Sequence, residues 1–282
     1  MEPKHTTFSE HDLRSFEPAM KIGLLATVNP QGQPHLSLIT TLKGAAPTQM
    51  VWGQFTEGLS KQYIRQNPKA GWLIMSLDRH VWSGKATYTH SAQSGPDYDF
   101  YNNTPMFRYN AYFGVHTVHY MDLVEHSGEA VLPMNRIIFA AVKSLAARSL
   151  APGQVRQLAL NPWTRAFLSK LDNLKFLAYV DRDGYPVVVP LIQAQAANAG
   201  EVVFGLGAFN DAIRRIPAGA SVALLGMALT MEDVVVRGQY QGLKRRAGLL
   251  VGSLQVDWVY NAMPPVPGQI YPPVELGAVR EF

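Results

Sequence analysis

The chain has 282 residues, of which 47% are apolar and 16% charged, with a net charge of +4 and no cysteine. This composition supports a sizeable core and room for two ordinary domains, and it excludes disulfides, a thiol nucleophile and cysteine-ligated metal. The positive balance suits an anionic ligand but is too weak and scattered for nucleic acid; no apolar run reaches the roughly 18 residues of a membrane span, and the first twelve residues lack the apolar centre of a secretory signal, so a cytoplasmic protein is expected.

Ser9 opens a first helix, with Asp12 three residues on in a capping-box arrangement and Leu13, Phe16 and Met20 as its apolar face. Leu24 to Val28 reads as a strand entering the turn Asn29-Pro30-Gln31-Gly32-Gln33-Pro34. Met50, Val51 and Trp52 run extended into Gly53, and the loop Gln54 to Leu59 carries a second glycine, Gly58. Ser60 and Lys61 then stand where a short helix begins, and Asn67-Pro68 stops it. Free N–H groups at a helix start favour an anion, and a hydroxyl and an ammonium add to them, so a phosphate is the obvious guest. The competing reading is that Ser60 is only an N-cap and Lys61 a solvated charge.

Strands follow as far as Tyr88, and Ser91 to Pro96 has the composition of a loop. Tyr98, Phe100, Tyr101, Phe107, Tyr109, Tyr112 and Phe113 crowd the next stretch, as a lid over a ring or as filler beneath a long loop. Val115 to Leu123 alternates as a strand, with Val118 and Tyr120 on one face and His119 and Met121 on the other. His116 and His119 are three apart, hence on opposite faces of that strand, and no metal site is expected there. Met134 to Ser149 has helical periodicity, and Asn161-Pro162 looks like an N-cap with proline at the first position of a further helix.

At Phe176 the pattern restarts. An offset of 152 places Gly184 on Gly32, Pro186 on Pro34, Gly205 on Gly53, Ile216 on Ile64 and Met227 on Met75, with 11 identities in 54 ungapped pairs. A repeat of that length predicts a duplicated domain. The expected division is 1–132, a helical linker 133–172, and 173–282. The copies differ chemically: Ser60 and Lys61 are matched by Ala212 and Ile213, and Gln54 by Leu206, with Asn210, Asp211, Arg214 and Arg215 nearby. The first copy is equipped for a phosphate; the second reads as its structural partner.

The ordered set of the 29–34 turn, Leu59-Ser60-Lys61, Asn67-Pro68-Lys69-Ala70 and Arg79-His80-Val81-Trp82-Ser83-Gly84 resembles the pyridoxamine 5′-phosphate oxidase family of flavin-binding split barrels over about seventy residues. Leu59 stands where that family often has arginine, and His35 to Thr41 lacks the oxidase's arginine and lysine. The resemblance implies a mainly β, α+β fold of two split β-barrels in tandem, each six-stranded, forming a pseudo-dimer within the chain and possibly a homodimer as well. It implies FMN held between the barrels, with F420 or haem as alternatives, a small-molecule substrate or electron donor, and flavin-dependent oxidoreductase activity. The cofactor-binding residues it implies are Ser37, Ile39, Thr40, Gly53, Gln54, Phe55, Ser60, Lys61, His80 and Trp82, with the oxidase's own substrate not expected. A non-catalytic flavin or haem binder is the alternative function.

Overall fold

In a computed structural model the described residues are 4–104, 114–150, 153–263 and 267–275. They form two antiparallel sheets of eight strands each. By contact the chain divides into one unit of Met1–Gly32, Leu36–Leu132 and Arg182–Val188, and a second of Gln33–His35, Pro133–Asp181 and Val189–Phe282. No described helix is long and apolar enough to cross a membrane.

In the first sheet the strands are β1 (Ile22–Val28), β2 (Pro34–Leu38), β3 (Lys43–Ala46), β4 (Gln49–Gln54), β5 (Lys69–Met75), β6 (His80–Ala92), β7 (Thr117–His126) and β8 (Ala130–Val131). Their order is β2-β1-β5-β6-β7-β4-β3, with β8 pairing β6 off that path. The two ends of the path, β2 and β3, are consecutive in sequence and separated only by residues 39–42. A twisted sheet whose outermost strands are joined by so short a link must curl toward a barrel. Two closures show that curl: Ile39 N–H donates to Gly23 O at 2.7 Å, and the Thr41 hydroxyl meets the Gly53 backbone.

Helix α1 (Glu10–Phe16) begins as its sequence predicts. Ser9 Oγ accepts from the Asp12 N–H, and the Asp12 carboxylate accepts from the Ser9 N–H. Helix α2 (Leu59–Gln66) follows β4, and α3 (Pro96–Asn103) follows β6. The core of this unit gathers Phe8, Phe16, Leu25, Met50, Trp52, Ile64, Trp72, Trp82 and Met121. The expected loop at 91–96 is shorter than its composition suggests, because β6 runs to Ala92 under cross-strand pairing to Val118.

The second sheet contains β9 (Leu174–Val180), β10 (Pro186–Pro190), β11 (Gln195–Ala196), β12 (Glu201–Gly205), β13 (Ser221–Met227), β14 (Asp233–Arg246), β15 (Leu249–Asn261) and β16 (Gly268–Tyr271). Its order, β10-β9-β13-β14-β15-β12-β11 with β16 on β15, is the first order with eight added to each strand number along the path. β9, β10 and β13 lie at an offset of 152 from β1, β2 and β5, residue for residue. Gly84 and Gly238 stand beside register shifts in the corresponding strands β6 and β14: a Cβ there would stand 2.1 Å from Glu125 O and 1.9 Å from Gln255 O, respectively. The sheets exceed the expected six strands through the short β3 or β11 at one end of each path and the short β8 or β16, which pairs off the path with β6 or β15.

The helices between the repeats are α4 (Met134–Leu150) and α5 (Pro162–Ser169), the latter N-capped by Asn161 Oδ1 accepting from Thr164 N–H at 2.8 Å. Expected as a linker, both belong to the second unit by contact. Ala147 of α4 packs with Val203 and Val251. Helix α6 (Asn210–Arg215) is the counterpart of α2 and is two residues shorter, ending before Pro217.

Candidate functional site

The first unit's site is built at the start of α2. β4 delivers the chain through Gly53 to the loop, and Gly58 takes the N-cap position with no side-chain cap. The N–H groups of Leu59 and Ser60 precede the first bonded turn, in which Lys61 and Gln62 N–H reach Gly58 O. Ser60 is buried, and its hydroxyl accepts from Ser37 Oγ at 2.9 Å. Residues 37 and 60, far apart in sequence, thus meet as a hydroxyl pair.

Lys61 is only 8% exposed. Among the described residues its ammonium makes no hydrogen bond or ion pair. Burial lowers its pKa from the ordinary lysine value, and Glu57 nearby offsets part of that. A Cβ on Gly58 would stand 3.7 Å from Lys61 Nζ, so the glycine leaves open the space in front of the cation. A buried cation, two hydroxyls and uncapped helix N–H groups form a cradle whose chemistry suits an anion.

The loop's first residue is held from behind. Gln54 Nε2 donates to Glu57 Oε1 at 2.7 Å, which orients Gln54 Oε1 toward His119 Nε2, also at 2.7 Å. His119 is fully buried, stacks on Trp52 with centroids 3.9 Å apart, and leaves its Nδ1 without a partner. Burial first, then the positive Arg65 and Lys61, push its pKa down to about 3, so it is a neutral donor to Gln54. The sequence offered His119 only as half of an unpromising H-x-x-H pair. Its role depends on the register that pairs it with Trp52 across β4 and β7, which no local signal reveals. Among the described residues no group of three His, Asp or Glu could hold a metal ion.

Other expected site residues fall elsewhere or are already engaged. The Gly53 N–H and O are both taken by the Thr41 hydroxyl, at 3.0 and 2.9 Å. Ile39 is core, Thr40 is half-buried, and Phe55 is half-buried against Val51, Tyr101, Val115 and Val118. Trp82 is 1% exposed, packs edge-on against Phe16 and donates its indole N–H to Asp12. His80 pairs with Glu129. Trp82 and His80 are therefore not gathered with Ser37, Ser60 and Lys61. Of the aromatic stretch, Tyr101 is core, donating its hydroxyl to Thr41 O at 2.7 Å; Phe107, Tyr109, Tyr112 and Phe113 lie outside the described residues.

In the second unit the corresponding loop is a different object. Phe209 takes a left-handed conformation, with φ 54°, where Gly58's partner loop enters its helix. Ala212 and Ile213 stand in place of Ser60 and Lys61. Helix α4 lies against the end of β12: Gly205 N–H donates to Ser144 Oγ at 2.8 Å, while Gly205 O accepts from Gln193 at 3.1 Å.

No protein-family model and no curated protein sequence matches the chain. Solved structures similar to it include an FMN-binding protein from Syntrophomonas wolfei subsp. wolfei, at 14% identity over 43% of this chain and 86% of that one, TM-score 0.35. An F420 reductase is similar at 17% identity over 43% of this chain and 98% of its own, TM-score 0.34. An FAD-binding protein from Mesorhizobium loti is similar at 13% identity over 44% and 95%, TM-score 0.30.

Proposed function

We propose that the first unit binds the phosphate of an FMN-type cofactor at the start of α2, and that the protein is a flavin-dependent oxidoreductase of the pyridoxamine 5′-phosphate oxidase-like kind, built by tandem duplication. The observation that carries the reading is the buried Lys61 ammonium, which makes no ion pair among the described residues and has only Glu57 acting on it from nearby, beside the Ser37–Ser60 hydroxyl pair and the uncapped α2 N-terminus. A dianionic phosphate monoester fits that donor set in charge and in hydrogen-bonding type.

The residues divide the work. Lys61 neutralises charge, and burial strengthens that attraction because little water competes. Ser60 donates from its hydroxyl and backbone, with Ser37 fixing the hydroxyl's direction. Gln54, held by His119 and Glu57, fixes the path of the loop that leads into the cradle. A bound flavin would supply the hydride chemistry, for which the protein needs no acid–base motif of its own.

FMN, FAD and F420, the ligands named for the similar solved structures, together with haemin, form the panel to titrate against the protein. FMN is expected to bind with affinity, and Lys61→Ala to weaken it about ten- to a hundredfold through loss of a charge-assisted contact. FMN affinity that is the same in Lys61→Ala rules out this placement. Reduction of the bound flavin by NAD(P)H, followed at its visible band, tests the oxidoreductase; failure with every hydride donor leaves a binder.

A further inference from the structure

We propose that the second unit carries its own pocket for a small oxyanion, built from cations that α4 brings to the loop after β12. It takes a phosphate or carboxylate on a small hydroxyl-bearing molecule. The inference is independent of the flavin reading and concerns the loop that sequence comparison treats as degenerate.

The cavity measures about 390 Å³ and is walled by Arg136, Phe139 and Lys143 of α4 and by Leu206, Gly207 and Asn210 of the facing loop. That volume is in the range of small-ligand sites, roughly 300–1,000 Å³. Arg136 and Lys143 are seven residues apart, two helical turns, and so share one face of α4. The helix is held tightly against the loop: a Cβ on Gly207 would stand 2.4 Å from Arg136 O and 2.5 Å from the Ala140 Cβ. The two glycines of Gly205-Leu206-Gly207 are what admit the helix so closely, and the cations come with it.

Charge gives the class of ligand. Lys143 Nζ reaches Leu206 O at 3.3 Å and stands 4.3 Å from the Phe139 ring centroid, so the ammonium is held between two residues of the cavity wall. The Arg136 guanidinium makes no hydrogen bond or ion pair among the described residues. No carboxylate lines the cavity; Asp211, the next residue along, is exposed. Two cations facing one cavity without a counter-charge select an anion, and a planar guanidinium suits an oxyanion in particular. Asn210 Oδ1 is buried and has no hydrogen-bond partner. A buried acceptor left unmatched calls for a donor, so the ligand carries a hydroxyl near its anionic group. Phe139 and Leu206 flank the carbon body between them.

The second copy thus lacks Ser60 and Lys61 equivalents in its own short helix, yet the same loop is faced by two cations from α4, which has no counterpart among the first unit's described helices.

The test uses the full chain and two probes, inorganic phosphate and glycerol 3-phosphate. Binding is read from the backbone amide shifts of Gly207 and Asn210. Both probes are expected to give saturable shifts at these amides, with glycerol 3-phosphate the tighter. Arg136→Gln, an exposed position whose change leaves thermal stability in place, should weaken both about tenfold or more. Asn210→Asp, which sets a carboxylate against the anion, should do the same. Lys61→Gln should leave these shifts unaltered while affecting FMN, which separates this site from the first unit's. Absence of saturable shifts at Gly207 and Asn210 with either probe, or shifts that persist unchanged in Arg136→Gln, overturns the proposal.

Discussion

Lys61 is charged at a cost, and that cost sets a pH dependence for its ligand. Its pKa is lowered by burial in the free protein, and a bound dianion would raise it again, so binding draws on the protonated form. FMN affinity should rise as pH passes about 6, where the phosphate takes its second charge. It should then fall on the alkaline side earlier than a solvated lysine, with pKa near 10.4, would dictate. Lys61→Arg keeps the charge at any accessible pH, so the alkaline fall should disappear from its affinity–pH curve; a fall that persists assigns it to another group. Asp233 carries the opposite signature on stability. It is 5% exposed, its Oδ1 lacks a partner, and burial pushes its pKa up to about 6. The folded state then holds a proton that the unfolded state releases from about pH 4 upward, so stability falls as pH rises from about 4 to 6. The loss is on the order of 2–3 kcal/mol. Asp233→Asn should flatten that slope in urea melts across the window, leaving the variant more stable than the parent at pH 7.

Helix α1 depends on two side chains that serve more than its own end. Ser9 and Asp12 close a reciprocal cap, and the same Asp12 carboxylate accepts the Trp82 indole N–H at 2.8 Å. Its pKa is the result of opposed effects, burial raising it and the bonds from Ser9 and Trp82 lowering it, with the net direction downward. Ser9→Ala should cost about 1 kcal/mol, as a lost N-cap does. Asp12→Ala should cost about 2–3 kcal/mol, since it also leaves a buried indole N–H unmatched. Equal losses for the two in chemical denaturation would show that the Trp82 bond contributes nothing. Helix α4 is fixed by close approach: a Cβ on Gly205 would stand 2.5 Å from Ala140 O and 2.7 Å from the Lys143 Cβ. Gly205→Ala should therefore destabilise the second unit by about 1–3 kcal/mol through overpacking, read as a lowered midpoint.

The two units share a strand order and differ in what lies at the loop after the fourth strand of each. For the molecule as a whole this leads to an unequal pair of sites. Bound flavin should titrate to one per chain, lost with Lys61→Ala and retained with Arg136→Gln. The basis is that Ala212 and Ile213 supply neither the Ser60 hydroxyl nor the Lys61 charge at the start of α6, and the α4 cations that face the loop instead are read as holding a small oxyanion, not a flavin. Two flavins per chain, or one whose binding survives Lys61→Ala and fails with Arg136→Gln, would reverse the assignment of roles.

Much of this architecture could be read along the chain, because it rests on short-range rules. The Ser9–Asp12 cap, the proline after Asn161, the glycine-bearing turns and the 152-residue offset are local or periodic signals, and the elements they predict are present. The Ser60–Lys61 helix start was legible for the same reason. What the sequence could not determine lies across strands or between helix and sheet. Trp82 looked as available as Ser60, yet strand pairing with Ile74 turns it into the core beside Phe16. His119 acquires its partner from the register of β4 on β7, and Ser37 meets Ser60 only when the sheet curls. The cations opposite Asn210 come from a helix some seventy residues earlier, which the sequence marked as a linker. Burial and register are collective properties of the packed chain: a residue's type constrains which face it prefers, but only tertiary packing decides what faces it.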